Sequence, residues 1–181
     1  MARSDRKEEL GRLAASLAAA MPDSEGEYRV SSALSDHERR RFLGVWTVSE
    51  HTVDGRPYVE RFAASALRGA ELRDPSYGAV YDFRGSLCVK RVRIDGIVDM
   101  PEGRVRFAYS MGVAISWELG PGCLYAKSEM GYQATSLGGV PAAVKELATS
   151  GGASRIAYRF EGETLVLEEG TDIKRLGRGA G

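Results

Sequence analysis

Hydrophobic and polar residues alternate through most of the second half of the chain. Ala79/Tyr81/Phe83, Val105/Phe107/Tyr109, Val113/Ile115/Trp117/Leu119 and Ile156/Tyr158/Phe160 each repeat at every second position, the period of a strand with one buried face. The runs that read as strands are 78–83, 87–94, 104–110, 113–119, 123–127, 130–135, 155–160, 164–168 and 172–176. Turn residues mark many of the joints: Gly85, Asp95-Gly96, Glu102-Gly103, Gly112, Gly120-Pro121-Gly122, Gly131 and Glu161-Gly162. Many short alternating strands predict an antiparallel sandwich or barrel. With the apolar run 42–48 placed in front, about eight to ten strands are enough to close an up-and-down β-barrel and remove its edges.

A longer period appears in four places. Leu10, Leu13, Leu17 and Met21 fall at spacings of three and four, predicting a helix over 5–21 that Pro22 ends. Ser35-Asp36-His37-Glu38 is a capping box for a second short helix, with Arg39, Arg40 and Arg41 near its C-terminal end, where cations suit the dipole. Residues 54–76 read as a long, partly helical excursion, with Val59, Phe62, Ala63, Ala66, Leu67 and Ala70 on one face and Asp74-Pro75 breaking it. Val140, Val144 and Leu147 predict one late helix over 140–149, with Pro141 in its first turn and Gly151-Gly152 at its end. The expected organisation is an N-terminal helical extension (1–41), a barrel (42–176) and a flexible tail (177–181).

Gly44-Val45-Trp46, on the first strand after a short helix, resembles the G-x-W signature of the lipocalins and the wider calycins. Asp172-Ile173-Lys174-Arg175 on the last strand is similar to the closing strand of lipocalin-like domains. The resemblance covers roughly residues 42–176 and implies a barrel closed at one end. There a basic side chain lies across the tryptophan ring, a cation–π contact, which puts Arg175 over Trp46.

Composition narrows the partners. The 181 residues are 43% hydrophobic and 28% charged, with 25 basic and 25 acidic residues, an ordinary globular balance with no net charge to favour nucleic acid or an anionic membrane. The chain has no asparagine and a single glutamine, which we read as the codon bias of a GC-rich bacterial genome. No run approaches the roughly 20 apolar residues of a membrane span. The N-terminus, acidic and poor in leucine, makes a poor signal peptide. A cytoplasmic protein is expected, or a periplasmic one had a signal sequence been removed. Cys88 and Cys123 lie far apart and read as reduced thiols.

Small barrels point alternate side chains inward, where they can line a ligand pocket. The aromatic set Tyr81, Phe83, Phe107, Tyr109, Trp117, Tyr132 and Tyr158 reads as a wall for an apolar ligand, or equally as a filled core. On the basic hairpin, Arg91 and Arg93 share parity with Leu87 and Val89. An inward pair would hold a carboxylate or phosphate; a switch of faces near Lys90 would turn it outward. Asp82, Asp99, Glu118, Lys127 and Glu129 are wall polar residues that read as solvated. His37 and His51 form no metal cluster, and no nucleophile triad, phosphate loop or zinc spacing is present. We therefore expect non-enzymatic binding of a small, largely hydrophobic, in part anionic molecule, with no metal, cofactor or catalytic residue. The alternatives are a cofactor-independent isomerase, cyclase or chromophore-attachment enzyme in the same cavity, or an interaction module with a plugged barrel. A homodimer through the N-terminal helices is the association the amphipathic stripe suggests.

Overall fold

The computed structural model describes residues 36–67, 70–147 and 152–179. The helix expected over 5–21 and the capping residue Ser35 lie outside these residues. The elements are α1 (Asp36–Phe42), β1 (Gly44–Val53), β2 (Arg56–Pro57), α2 (Tyr58–Ala66), β3 (Leu72–Arg84), β4 (Leu87–Met100), β5 (Gly103–Gly120), β6 (Cys123–Leu137), β7 (Val140–Glu146), β8 (Ser154–Glu161), β9 (Thr164–Glu169) and β10 (Asp172–Arg178). Every pairing is antiparallel. The ring runs β1-β3-β4-β5-β6-β8-β9-β10, and β10 closes it against β1. The result is a closed eight-stranded up-and-down barrel; β2 and β7 attach to β1 and β6 outside the ring.

Ten runs of alternation become eight barrel strands because two glycines taken as joints lie within strands. Gly112 continues β5 and Gly131 continues β6. A Cβ built on Gly112 would come within 2.6 Å of the Tyr132 ring. The missing side chain is what lets that ring lie flat across the neighbouring strand. Asp95-Gly96 is likewise mid-strand, within β4. A Cβ on Gly96 would meet Leu72 at 2.6 Å, so this glycine leaves room for a core leucine rather than making a turn. Asp74-Pro75 is a bulge within β3, with Asp74 at φ 47.

The late helix expected over 140–149 is instead a strand through residue 146: β7 pairs Val140 with Leu137 and Val144 with Ala134. Two periods fit the same residues, and the exposed edge of β6 decides between them. A proline is tolerated there because β7 is paired on one side only. The end of the chain also differs from expectation. β10 runs to Arg178 and Gly179 N–H bonds Val45 O at 2.9 Å, so the strand occupies the start of the expected tail.

The register closes the ring tightly over one half of its height only. β1 pairs with β3 from Gly44 to Thr47, and β6 with β8 from Cys123 to Ala126. Beyond those points β3–β6 run on and the ring splits between β1 and β3. α2 fills that end: Ala63 is buried, and Phe62 packs on Tyr109 and Phe107 with ring centroids 4.7 and 6.2 Å away. The opposite end is plugged by α1. Its last residue, Phe42, has no exposed surface and meets Phe83, Trp117, Tyr158 and Phe160 at 4.9 to 5.6 Å. The arginine triplet is more than a solvated helix end. The Arg41 guanidinium lies 3.8 Å from the Phe160 ring centroid and that of Arg39 5.4 Å from Trp117, capping the plug with cation–π contacts.

Candidate functional site

At the closed end Trp46 is buried, donates from Nε1 to Phe42 O at 2.6 Å, and carries a guanidinium 4.0 Å from its ring centroid. That guanidinium belongs to Arg178, not to Arg175. The register explains the correction. Trp46 stands opposite Arg178, and Arg178 shares parity with the inward Lys174 and Leu176. Arg175 falls on the outer face and reaches Glu161 at 2.5 Å and Glu50 at 3.4 Å.

The aromatic residues expected to line one cavity are distributed over four places. Phe83, Trp117 and Tyr158 belong to the plug around Phe42. Phe107 and Tyr109 sit under Phe62 of α2, where burial pushes the Tyr109 phenol up to about 12. Tyr81 lies between, fully inside, with burial raising its phenol as well. Tyr132 is not on the interior face: it pairs with Gly112, which pairs with the exposed Arg91. Arg91 and Arg93 both point outward, and Arg93 is held by Asp95 at 2.6 Å. The inward set of β4 is Cys88, Lys90, Val92 and Ile94. Asp82, expected to be solvated, is buried, its carboxylate covered by Arg84 at 2.6 Å, whereas Asp99, Glu118, Lys127 and Glu129 are exposed.

The interior instead assembles charge from residues that no motif marked. On adjacent strands, His51 of β1 faces Lys174 of β10, and Asp172 lies two residues before Lys174. Asp172 Oδ1 accepts from Lys174 Nζ at 2.6 Å and lies 2.8 Å from His51 Nε2; His51 Nδ1 lies 2.7 Å from the Tyr77 hydroxyl. The last bond crosses the split between β1 and β3, where backbone pairing has stopped. Burial lowers the His51 pKa more than Asp172 raises it, so the imidazole is neutral near pH 7. Burial alone would raise Asp172, but the hydrogen bonds from His51 and Lys174 outweigh it and hold the carboxyl at about 2. With His51 neutral, Lys174 is the charge that keeps Asp172 ionised. An ionised carboxylate only accepts, so Nε2 carries the proton, Nδ1 accepts, and the Tyr77 hydroxyl donates.

Lys90, on β4, also faces the interior. Its Nζ lies 5.6 Å from the Tyr81 ring centroid, and among the described residues no carboxylate lies within ion-pair distance of it. Its inward neighbours Cys88, Val92, Tyr81 and Val113 are all buried, yet Lys90 itself keeps accessible surface. Burial, then the charge of Lys174, bring its pKa down to about 8. The signal was present in the sequence as Cys88-x-Lys90-x-Val92-x-Ile94; the competing alternation Leu87/Val89 obscured it.

Fold and interior together define a closed up-and-down β-barrel, plugged at one end and covered by a helix at the other, with a mixed-charge group inside. The chain matches no protein-family model, no curated protein and no solved structure. Among the described residues no cluster of His, Cys, Asp and Glu is arranged to hold a metal ion, and no helix is long and apolar enough to cross a membrane.

Proposed function

We propose that the barrel binds a small, largely hydrophobic molecule whose polar head is an anion or a carbonyl oxygen meeting Lys90. One observation carries the reading: an inward-facing lysine with no carboxylate partner among the described residues. A buried cation without an anion is costly, and a ligand head group is the partner that would offset it. Val92, Val113 and Met111 lie along the same inward faces and offer apolar surface, each Å² removed from water contributing about 25 cal/mol before the costs of association. The calycins are the superfamily we would place it in. Support for that placement is the Gly44-x-Trp46 motif after α1 and the guanidinium on the indole at the closed end.

A fatty-acid analogue with a polarity-sensitive fluorophore, such as dansyl-undecanoate, tests the reading. Emission should rise and saturate with the native chain, and Lys90→Met should weaken binding about tenfold, the loss of one charge-assisted contact. Replacing Arg91 and Arg93 together by methionine should leave it unchanged. No rise in emission, or loss of binding in the Arg91/Arg93 variant alone, would overturn it.

The Asp172–His51–Tyr77 chain favours a second reading, a cofactor-independent isomerase acting on the bound molecule. A neutral imidazole accepting from a phenol and anchored by a carboxylate is an arrangement suited to proton transfer. Turnover that survives His51→Gln unchanged would remove it.

A further inference from the structure

Of the 25 basic residues only five are lysines: Lys7, Lys90, Lys127, Lys145 and Lys174. Among the described lysines, Lys90 on β4 and Lys174 on β10 face the barrel interior. Lys174 is neutralised by Asp172 at 2.6 Å; Lys90 is left facing the Tyr81 ring. We infer that Lys90 is a covalent attachment point, whose amine condenses with an aldehyde of apolar body to hold it in the barrel as an imine. The inference rests on the reading that the interior admits a small hydrophobic molecule.

Three features select this chemistry. Lys90 stands on the inward face of β4, where an arginine would carry a charge it cannot lose, and only lysine can shed its proton to become a nucleophile. Desolvation and a second cation nearby are the two devices that activate a lysine amine, and both act on Lys90. No carboxylate among the described residues pairs with Lys90 to fix the ammonium form. The step balances without a redox partner. The nitrogen lone pair attacks the carbonyl carbon, and a proton passes from nitrogen to oxygen to give the carbinolamine. The hydroxyl then leaves as water, taking a proton from solvent, while the nitrogen lone pair forms the C=N bond; the resulting iminium returns its N–H proton to solvent to give the imine.

The test incubates the full chain with decanal and sodium cyanoborohydride and reads intact mass, then maps the modified lysine by proteolysis. The expected result is one adduct at Lys90, formed about tenfold faster than any at Lys127, its rate rising with pH through the neighbourhood of 8. Lys90→Arg keeps the charge but cannot condense and should lose the adduct, whereas Lys127→Arg, at an exposed position, should retain both the adduct and dansyl-undecanoate binding. Lys174→Met removes the second cation and should slow formation of the adduct. Modification spread over Lys127 and Lys145 with Lys90 unmodified, while decanol still displaces the fluorescent probe, would overturn the attachment and leave the binding reading intact. If neither decanol nor the probe binds and Lys90 is unmodified, both fall.

Discussion

Tyr58 lies flat on His51, ring centroids 4.2 Å apart and planes 8° from parallel. One ring opens α2 and the other stands on β1 beyond its pairing with β3, so a single stack joins the covering helix to the interior hydrogen-bond chain. Tyr77 completes the junction, its ring 5.5 Å from both. The barrel is split at this point, and these three rings hold together what backbone pairing does not.

Removing the stack should loosen the helix before the barrel. Tyr58→Ala is expected to cost about 1–3 kcal/mol. Backbone amides of α2 should exchange faster with deuterium while those at the β4–β5 pairing keep their protection. Equal acceleration in both places would mean that α2 is not held independently.

Acid should weaken the fold in two steps. The folded pKa of His51 is below its ordinary 6.5, so the unfolded chain takes up its proton first and stability falls as pH drops below that value. Asp172 is held at about 2 against an ordinary 3.8. Its contribution, on the order of 2 kcal/mol, is complete above about pH 4 and is lost as pH falls through 2. Urea unfolding from pH 8 to 2 should show both steps. His51→Gln should remove the upper one.

Lys90 is expected to oppose stability at neutral pH. Its folded pKa of about 8 is below the ordinary 10.5, so the unfolded chain binds more protons in that interval and stability rises with pH between 8 and 10.5. Lys90→Met should therefore be more stable than the native chain at pH 7, by roughly 1–3 kcal/mol, and should lose that rise. A destabilised Lys90→Met with the rise intact would show that the ammonium is adequately solvated inside.

The two C-terminal arginines should separate cleanly. Arg178 covers Trp46 and donates to Leu43 O at 2.5 Å and Arg41 O at 2.6 Å; Arg178→Ala should cost about 1–3 kcal/mol and shift tryptophan emission. Arg175 sits in a surface ion-pair network, and Arg175→Ala should cost less than about 1 kcal/mol. Equal losses would contradict a register that sets Arg178 opposite Trp46.

Much of this fold was legible from alternation alone: the nine runs from 78–83 to 172–176 each lie within a strand, and the opening run 42–48 does so from Gly44 onward, Phe42 belonging to α1. The number of strands was not, because Gly112 and Gly131 carry the same residue type that ends strands elsewhere. Whether a glycine turns the chain or admits a neighbour's ring depends on Tyr132, twenty residues further on. Residues 140–146 failed for a related reason. Their apolar spacing suits both periods, and an unpaired edge of β6 made the choice.

The interior site was less legible. His51, Tyr77, Lys90 and Asp172 are far apart in sequence, and each alone is an ordinary strand residue. Arg91 and Arg93 drew attention because their parity could be counted from Leu87; counted from Cys88, the inward cation is Lys90. The same question of which face a basic residue takes moved the closing arginine from 175 to 178.

Local patterning by itself determined that this chain is built of short antiparallel strands with one apolar face, because strand alternation is a property of neighbouring residues and survives without knowledge of their partners; the pairing of β10 with β1 decided that they close into a barrel. Pairing register decided which basic residue turns inward and which caps the indole. A strand has two faces, and only the strand beside it settles which one meets the core.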